Sequence, residues 1–344
     1  MKYSFFLLSL FFASIASAQS VTLLNSGSKA SFRGLSVVSD KIVWVSGTGG
    51  TVGRSTDGGD SWTWMTVKGF EKMDFRDIEA FDEKTAIIMG IADPAYILKT
   101  TDGGQNWNVV FKDTTKGMFL DAMDFANNER GVVIGDPING KIFIAQTLDG
   151  GENWREFKTN TFAVDSGEAC FASSGTNIRK LNQSGHIYIT GGKASHLFVH
   201  NEKREIPFVK GTETAGANSI AFKNGKIFIV VGGDFNKKDN TEKNCFLTID
   251  AGKTWISPET VPHGYRSCVE YLDKESWVCC GLNGVDFSKD GGMNWNWISK
   301  DGFHVVRKAR NGKAVFLAGG GGRDDEQGGR AGGGGRSGAG PRCR

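Results

Sequence analysis

One eight-residue pattern, Ser/Thr-x-Asp-x-Gly-x-x-Trp, returns five times along this 344-residue chain. It spans Ser55–Trp62, Thr100–Trp107, Thr147–Trp154, Thr248–Trp255 and Ser288–Trp295. The shared acids Asp57, Asp102, Asp149, Asp250 and Asp290 are separated by 45, 47, 101 and 40 residues. The interval of 101 holds two units with a worn copy between them, expected near Leu197–Asn201, where Asn201 takes the Asp place and the Trp is lost. Self-similarity at this period limits the chain to a repeat array, because one unit of this size cannot bury its apolar face alone.

Each box reads as a hairpin turn between two strands. The Asp accepts hydrogen bonds from amides of its own turn and the Gly takes a positive φ. Trp62, Trp107, Trp154, Trp255 or Trp295 tucks back as an apolar anchor. The motif resembles the Asp box of sialidases and of other Asp-box propellers, which implies a structural turn remote from any active site. Around the first box the short strands Phe32–Val38, Lys41–Ser46, Thr51–Ser55 and Trp62–Val67 follow one another, and four such strands make one propeller blade. Inner strands aligned this way begin near Phe32, Phe75, Phe119, Gly167, Ala217, Tyr265 and Phe303. The expected fold is therefore all-β, a seven-bladed β-propeller of four-stranded antiparallel blades. Its last repeat offers only Phe303–Ala309 and Ala314–Ala318, so Val21–Leu24 is expected to close that blade as its outer strand.

The chain ends carry a different message. Lys2, the apolar run Phe5–Ile15 and the small residues Ala16-Ser17-Ala18 form a secretory signal peptide over residues 1–18, with cleavage before Gln19. No later segment approaches the about 20 continuous apolar residues of a membrane span. The expected product is a periplasmic or secreted monomer with one propeller domain over residues 19–322. From Arg323 to Arg344 the composition turns to Gly and Arg with no large apolar residue to pack, which marks a disordered tail or a reading-frame change. The formal net charge of +3 owes +2 to the stretch from Gly319 onward. The folded part thus lacks the basic field of a nucleic-acid binder. Cys170, Cys245, Cys268, Cys279, Cys280 and Cys343 match no metal-ligand spacing; they read as small buried residues, with a Cys268 bridge to Cys279 or Cys280 as the alternative. The five His residues are scattered, and no metal or cofactor is expected.

Gly167–Asn177 in the fourth repeat, together with Asp93-Pro94 and Asp136-Pro137 in equivalent loops, gives the chain a resemblance to the photosystem II assembly and stability factor family of propellers, reaching to about Gly322. That resemblance implies non-catalytic binding of a protein partner, as assembly chaperones do. Family members in bacteria without photosystems imply the fold without the partner.

Propellers place functional residues where inner strands begin and where the loops after second strands emerge. The candidates in that register are Arg33, Arg76, Asp77, Asp121, Glu168, Asn218, Arg266 and His304 on the strands, with Asp93, Asp136, Lys193, Asp234 and Asn283 on the loops. Arginines among carboxylates suit a protein partner or an acidic or otherwise charged ligand, because a guanidinium grips a carboxylate through two parallel hydrogen bonds. Mutual neutralisation of these pairs is the structural alternative. A sialidase-like glycoside hydrolase would need an Arg33, Arg76 and Arg266 triad beside Tyr265 and Glu168. The Arg-Ile-Pro signature that precedes the first box in sialidases is missing; Arg204–Pro207 comes too late and is interrupted. An oxidoreductase with a cofactor in the channel is a third reading, but Gly47–Gly50 and Gly319–Gly322 sit between strands and form no dinucleotide fingerprint.

Overall fold

The computed structural model describes residues 19–24, 27–92, 94–157, 162–182 and 185–320. The expected signal peptide, Asp93 and the tail with Cys343 lie outside the described residues.

Apolar runs such as Ala86-Ile-Ile-Met-Gly90 and Phe228-Ile-Val-Val-Gly232 are buried at every position. Strands covered on both faces read this way, and here each blade is pressed between two others. Outer strands such as Asn108–Asp113 are instead exposed or half-buried at every position. The first blade pairs Phe32–Val37, Val43–Gly47, Thr51–Ser55 and Thr63–Thr66 in sequence order. The second pairs Phe75–Ala80, Ala86–Gly90, Ala95–Thr100 and Asn108–Asp113. The third runs from Leu120–Phe125 to Arg155–Glu156, and the sixth from Cys268–Asp273 to Asn296–Ser299, each with four strands. The fifth has three: Ala217–Phe222, Phe228–Gly232 and Cys245–Thr248. Apolar clusters fill the seams between neighbours, as where Trp44 and Ile78 join the first two blades or Cys245 and Trp277 the fifth and sixth.

The expectation of seven four-stranded blades is corrected. Among the described residues six sheets of three or more strands form blades, and the remaining seam holds only a two-stranded ribbon, Val305–Lys308 against Val315–Ala318. Val21–Leu24 is not a strand and does not close anything as a fourth ladder. It lines a groove of about 1020 Å3 together with Trp62, Trp64, Phe287 and Ile298, with Leu23 and Leu24 exposed. The ring closes through the ribbon, where Phe32 donates to the Gly319 carbonyl (3.0 Å) and Arg310 to that of Val37 (3.0 Å). Among the described residues no third strand joins the ribbon.

The boxes fold as local turns. In the second, the Asp102 carboxylate accepts from the Asn106 amide (3.0 Å) and the Thr100 hydroxyl (2.9 Å), while that hydroxyl accepts from the Gly104 amide (3.0 Å). Gly104 sits at φ +90°, where a Cβ would strike the Met65 sulfur at 2.5 Å. The box-less fourth blade turns through His200 and Asn201, both at positive φ (50° and 59°), the pattern of a two-residue hairpin. Hydrogen bonds hold Asp57, Asp102, Asp149 and Asp250 at about 2, led by the Ser61 hydroxyl for Asp57 and by the amide four residues on for the others. A depressed carboxyl pKa stabilises the fold above its unfolded value and ceases to do so as pH falls through the folded one. The unfolding midpoint should therefore drop between about pH 4 and about pH 2. Asp102→Asn with Asp149→Asn should flatten that dependence in a pH series of thermal melts and leave binding at the channel unchanged.

Cys279 faces the fifth blade and Cys280 the ribbon, as strand alternation requires. Cys268 lies directly across the ladder from Cys280, and the five described cysteines are buried free thiols.

Candidate functional site

The fourth blade departs from the others in its inner strand, and that departure builds the site. Glu168–Ala169 and Ile178–Lys180 both pair with His186–Gly192, so the eight residues Cys170–Asn177 face only Ile189 and Thr190. The surplus chain is extruded into the channel. Ser174 donates to the Ser267 carbonyl of the sixth blade (2.7 Å) and Thr176 to the Ser219 hydroxyl of the fifth (2.6 Å). The Cys170 amide reaches Asp136 of the third blade (3.1 Å), and Arg307 of the ribbon caps the carbonyls of Ser174 (3.0 Å) and Gly175 (3.3 Å). Gly175, at φ +64°, lies against the Asp77 carboxylate of the second blade, so close that a Cβ would sit 2.3 Å from it. The loop is a plug that separates two mouths.

Above the plug lies a pocket of about 140 Å3. Arg33, Arg76, Asp121, Asp136 and His304 line it with Phe119, Phe171, Phe235, Tyr265 and Leu282. Arg76 is paired with Asp74 at 2.7 Å. Burial, then the positive charges of Arg33 and Arg76, push His304 well below the usual histidine range and keep it neutral, with its Nε2 3.1 Å from the Ser31 hydroxyl. Burial raises Asp136 to about 7. Asp121 is pushed well up by burial and then by Asp136, against the pull of Arg76.

The other candidates from the sequence do not line this pocket. Asp77 follows Arg76 but points down the channel, accepting from the amides of Ile78 (2.9 Å) and Met123 (2.7 Å). Glu168 is turned into its own blade, bonded to Thr190, to His196 (2.9 Å) and to Lys203 (3.2 Å). Arg266 is wholly buried in an ion pair with Asp286. Asn218 lies beneath the pocket as acceptor for the hydroxyls of Tyr265 (2.9 Å) and Ser173 (2.9 Å). Asp234 accepts from Asn236 (3.0 Å) and Thr214 (2.8 Å), capping the turn that presents Phe235. Lys193 pairs at the surface with Glu213 (3.2 Å), and Asn283 is held by Arg266 (2.6 Å). The triad a sialidase would need is not assembled, since Arg266 and Glu168 are engaged elsewhere. Asp165, Glu168 and His196 approach one another as metal ligands would, but the Lys203 ammonium lies 3.0 Å from Asp165 and 3.2 Å from Glu168, in the place of a cation.

Two groups were missed by the register argument. One is the aromatic lining, although Phe119 and Tyr265 begin inner strands and Phe171 lies in the Gly167–Asn177 motif. The other is the opposite mouth, where Arg179 meets Asp124 (3.7 Å) and Glu270 (3.4 Å), and Arg310 meets Glu79 (3.3 Å). These charges fall late in the inner strands and close on each other.

A family model described as photosynthesis system II assembly factor YCF48 matches residues 63–202. Among solved structures, YCF48 bound to D1 peptide aligns with a TM-score of 0.61 at 17% identity, over 88% of this chain and 97% of that one. The chain is a β-propeller resembling the photosystem II assembly factors. YCF48 from Cyanidioschyzon merolae aligns at 17% identity over 85% of this chain and 94% of that one, with a TM-score of 0.58. The WD40 β-propeller domain of Doa1 follows at 13% identity, 85% and 90% coverage and a TM-score of 0.56. At such identities the solved structures speak for the fold alone. No curated protein matches by sequence.

Proposed function

We propose that this is an exported, non-catalytic binding propeller that holds a segment of a protein partner at the mouth above the plug. The observation that carries the reading is the pocket. Side chains from separate blades converge on a concavity whose floor is closed by Cys170–Asn177, so the channel serves as a seat and not as a passage. Binding sites take this form, with mostly apolar walls and a few placed polar groups. That a propeller of this shape can hold peptide is illustrated by YCF48, whose structure contains D1 peptide. Export rests on the leader pattern of residues 1–18.

The test is affinity capture from the exported fraction of native cells, using the chain from Gln19 and an Arg33→Ala/Arg76→Ala variant beside it. The proposal expects a specific protein retained by the first and reduced roughly tenfold or more for the second, since hot-spot arginines each contribute about 2 kcal/mol or more. Equal retention by both would place the binding surface elsewhere.

A further inference from the structure

Of the two carboxylates that line the pocket, Asp121 is the one with both oxygens unsatisfied. The residue is wholly buried, yet neither carboxylate oxygen has a partner within hydrogen-bond geometry; the Ala172 amide of the plug is the backbone group that acts on it. A buried charged or polar oxygen left this way is costly, and it lines an open cavity. Its neighbour Asp136 has one oxygen engaged by the Cys170 amide at 3.1 Å.

The surrounding charges define what is missing. Arg33 comes from the first blade, Arg76 with its partner Asp74 from the second, Asp121 and Asp136 from the third and neutral His304 from the ribbon; Tyr265 of the sixth adds a phenol. With both pocket aspartates ionised, the three acids outnumber the two arginines by one. A single cation balances the set. Phe119, Phe171, Phe235 and Tyr265 supply walls suited to an aliphatic stem or to the face of a cation.

We propose that the Asp121–Asp136 corner of the pocket receives a primary ammonium or guanidinium group, the head of a lysine or arginine side chain in the bound segment. This rests on the mouth being the binding site. Without ligand, burial raises both aspartates and the charge of Asp136 raises Asp121 further, so the pair holds protons well above the usual carboxylate range. The incoming cation displaces protons from the carboxyl O–H groups to water, and no other bond is made or broken. Binding of a cation therefore tightens as pH rises from the acid side through about 7, where Asp136 ionises. An anionic ligand would need both aspartates protonated and would show the opposite slope.

The experiment is calorimetric titration of the full chain with N-acetyl-lysinamide and, separately, with N-acetyl-glutamate amide, at about pH 5.5 and about pH 8, in buffers of different ionisation heat. The lysine probe should bind roughly tenfold or more tightly at about pH 8 than at about pH 5.5, and release protons to the buffer as it binds at the lower pH. Asp121→Asn, which keeps shape, should abolish that gain, and Asp136→Asn should reduce it; a thermal melt checks that both remain folded. Preference for the acidic probe, tighter lysine binding at low pH, an unaffected Asp121→Asn variant, or no binding of the lysine probe at millimolar concentration would each overturn the proposal. If these fail while Arg33→Ala/Arg76→Ala still loses the captured partner, the binding propeller stands and only its cationic ligand is withdrawn.

Discussion

Replacing Arg266 by Ala should cost about 3–5 kcal/mol of stability, because it strips the partner from a charge that water cannot reach. Arg266 and Asp286 are both wholly buried, joined through Nε at 2.7 Å and through a second guanidinium nitrogen. The same guanidinium donates to the Tyr265 carbonyl (2.8 Å) and to Asn283 (2.6 Å), tying the start of an inner strand to the loop that carries Leu282. Asp286 would keep only His263, through its ring at 2.7 Å and its backbone amide at 3.3 Å. A loss of this size is a large share of the roughly 5–15 kcal/mol available to a folded domain. The double change Arg266→Met/Asp286→Leu removes both charges and should recover much of the loss, as buried pairs replaced by apolar residues often do. Chemical denaturation measures both. A stable Arg266→Ala protein that had lost only its binding would return Arg266 to the mouth.

Gly175→Ala should be the most damaging single-methyl change in the plug. A left-handed backbone costs a non-glycine residue about 1–2 kcal/mol, and overpacking adds about 1–3 kcal/mol. The Cβ would meet the Asp77 carboxylate at 2.3 Å, and Asp77 is fixed by two backbone amides. Either the loop lifts or Asp77 moves, and in both cases the pocket loses its floor. Gly140 provides the control, being at φ +75° with nothing within 4 Å of an added Cβ. Gly140→Ala should show the backbone cost alone and keep partner binding. Gly175→Ala should lose more stability and binding with it, measured by denaturation and by capture.

What could be read from the sequence is what closes locally. An Asp box completes its hydrogen bonds within eight residues, so its five copies announce the repeat and its turns without knowledge of the rest. Blade number depends on ladders between distant segments, and there the reading failed. Val21–Leu24 has the composition of a strand, but no partner edge takes it up, and among the described residues the ribbon has two strands. The candidate site was half visible for a related reason. Alternation sends Arg76 and Asp77, or Tyr265 and Arg266, to different sides, and a register shift between Phe75 and Asp77 decides which of the first pair enters the pocket. Sequence register placed Arg33, Asp121, Asp136 and His304 near one another, but chose Arg266 over Tyr265. The plug motif was in plain view as Gly167–Asn177. Its role depends on eight residues facing two across the fourth blade, a mismatch that exists only once strands are paired.

Photo-crosslinking tests the central claim most directly. A crosslinking phenylalanine analogue at Phe235 stands at the pocketed mouth, and the same analogue at Lys180 stands beside Asp124 at the opposite one. Illumination in the presence of the captured partner should attach that partner through position 235 and not through position 180. An adduct formed from position 180, with none from position 235, would contradict the assignment of the site.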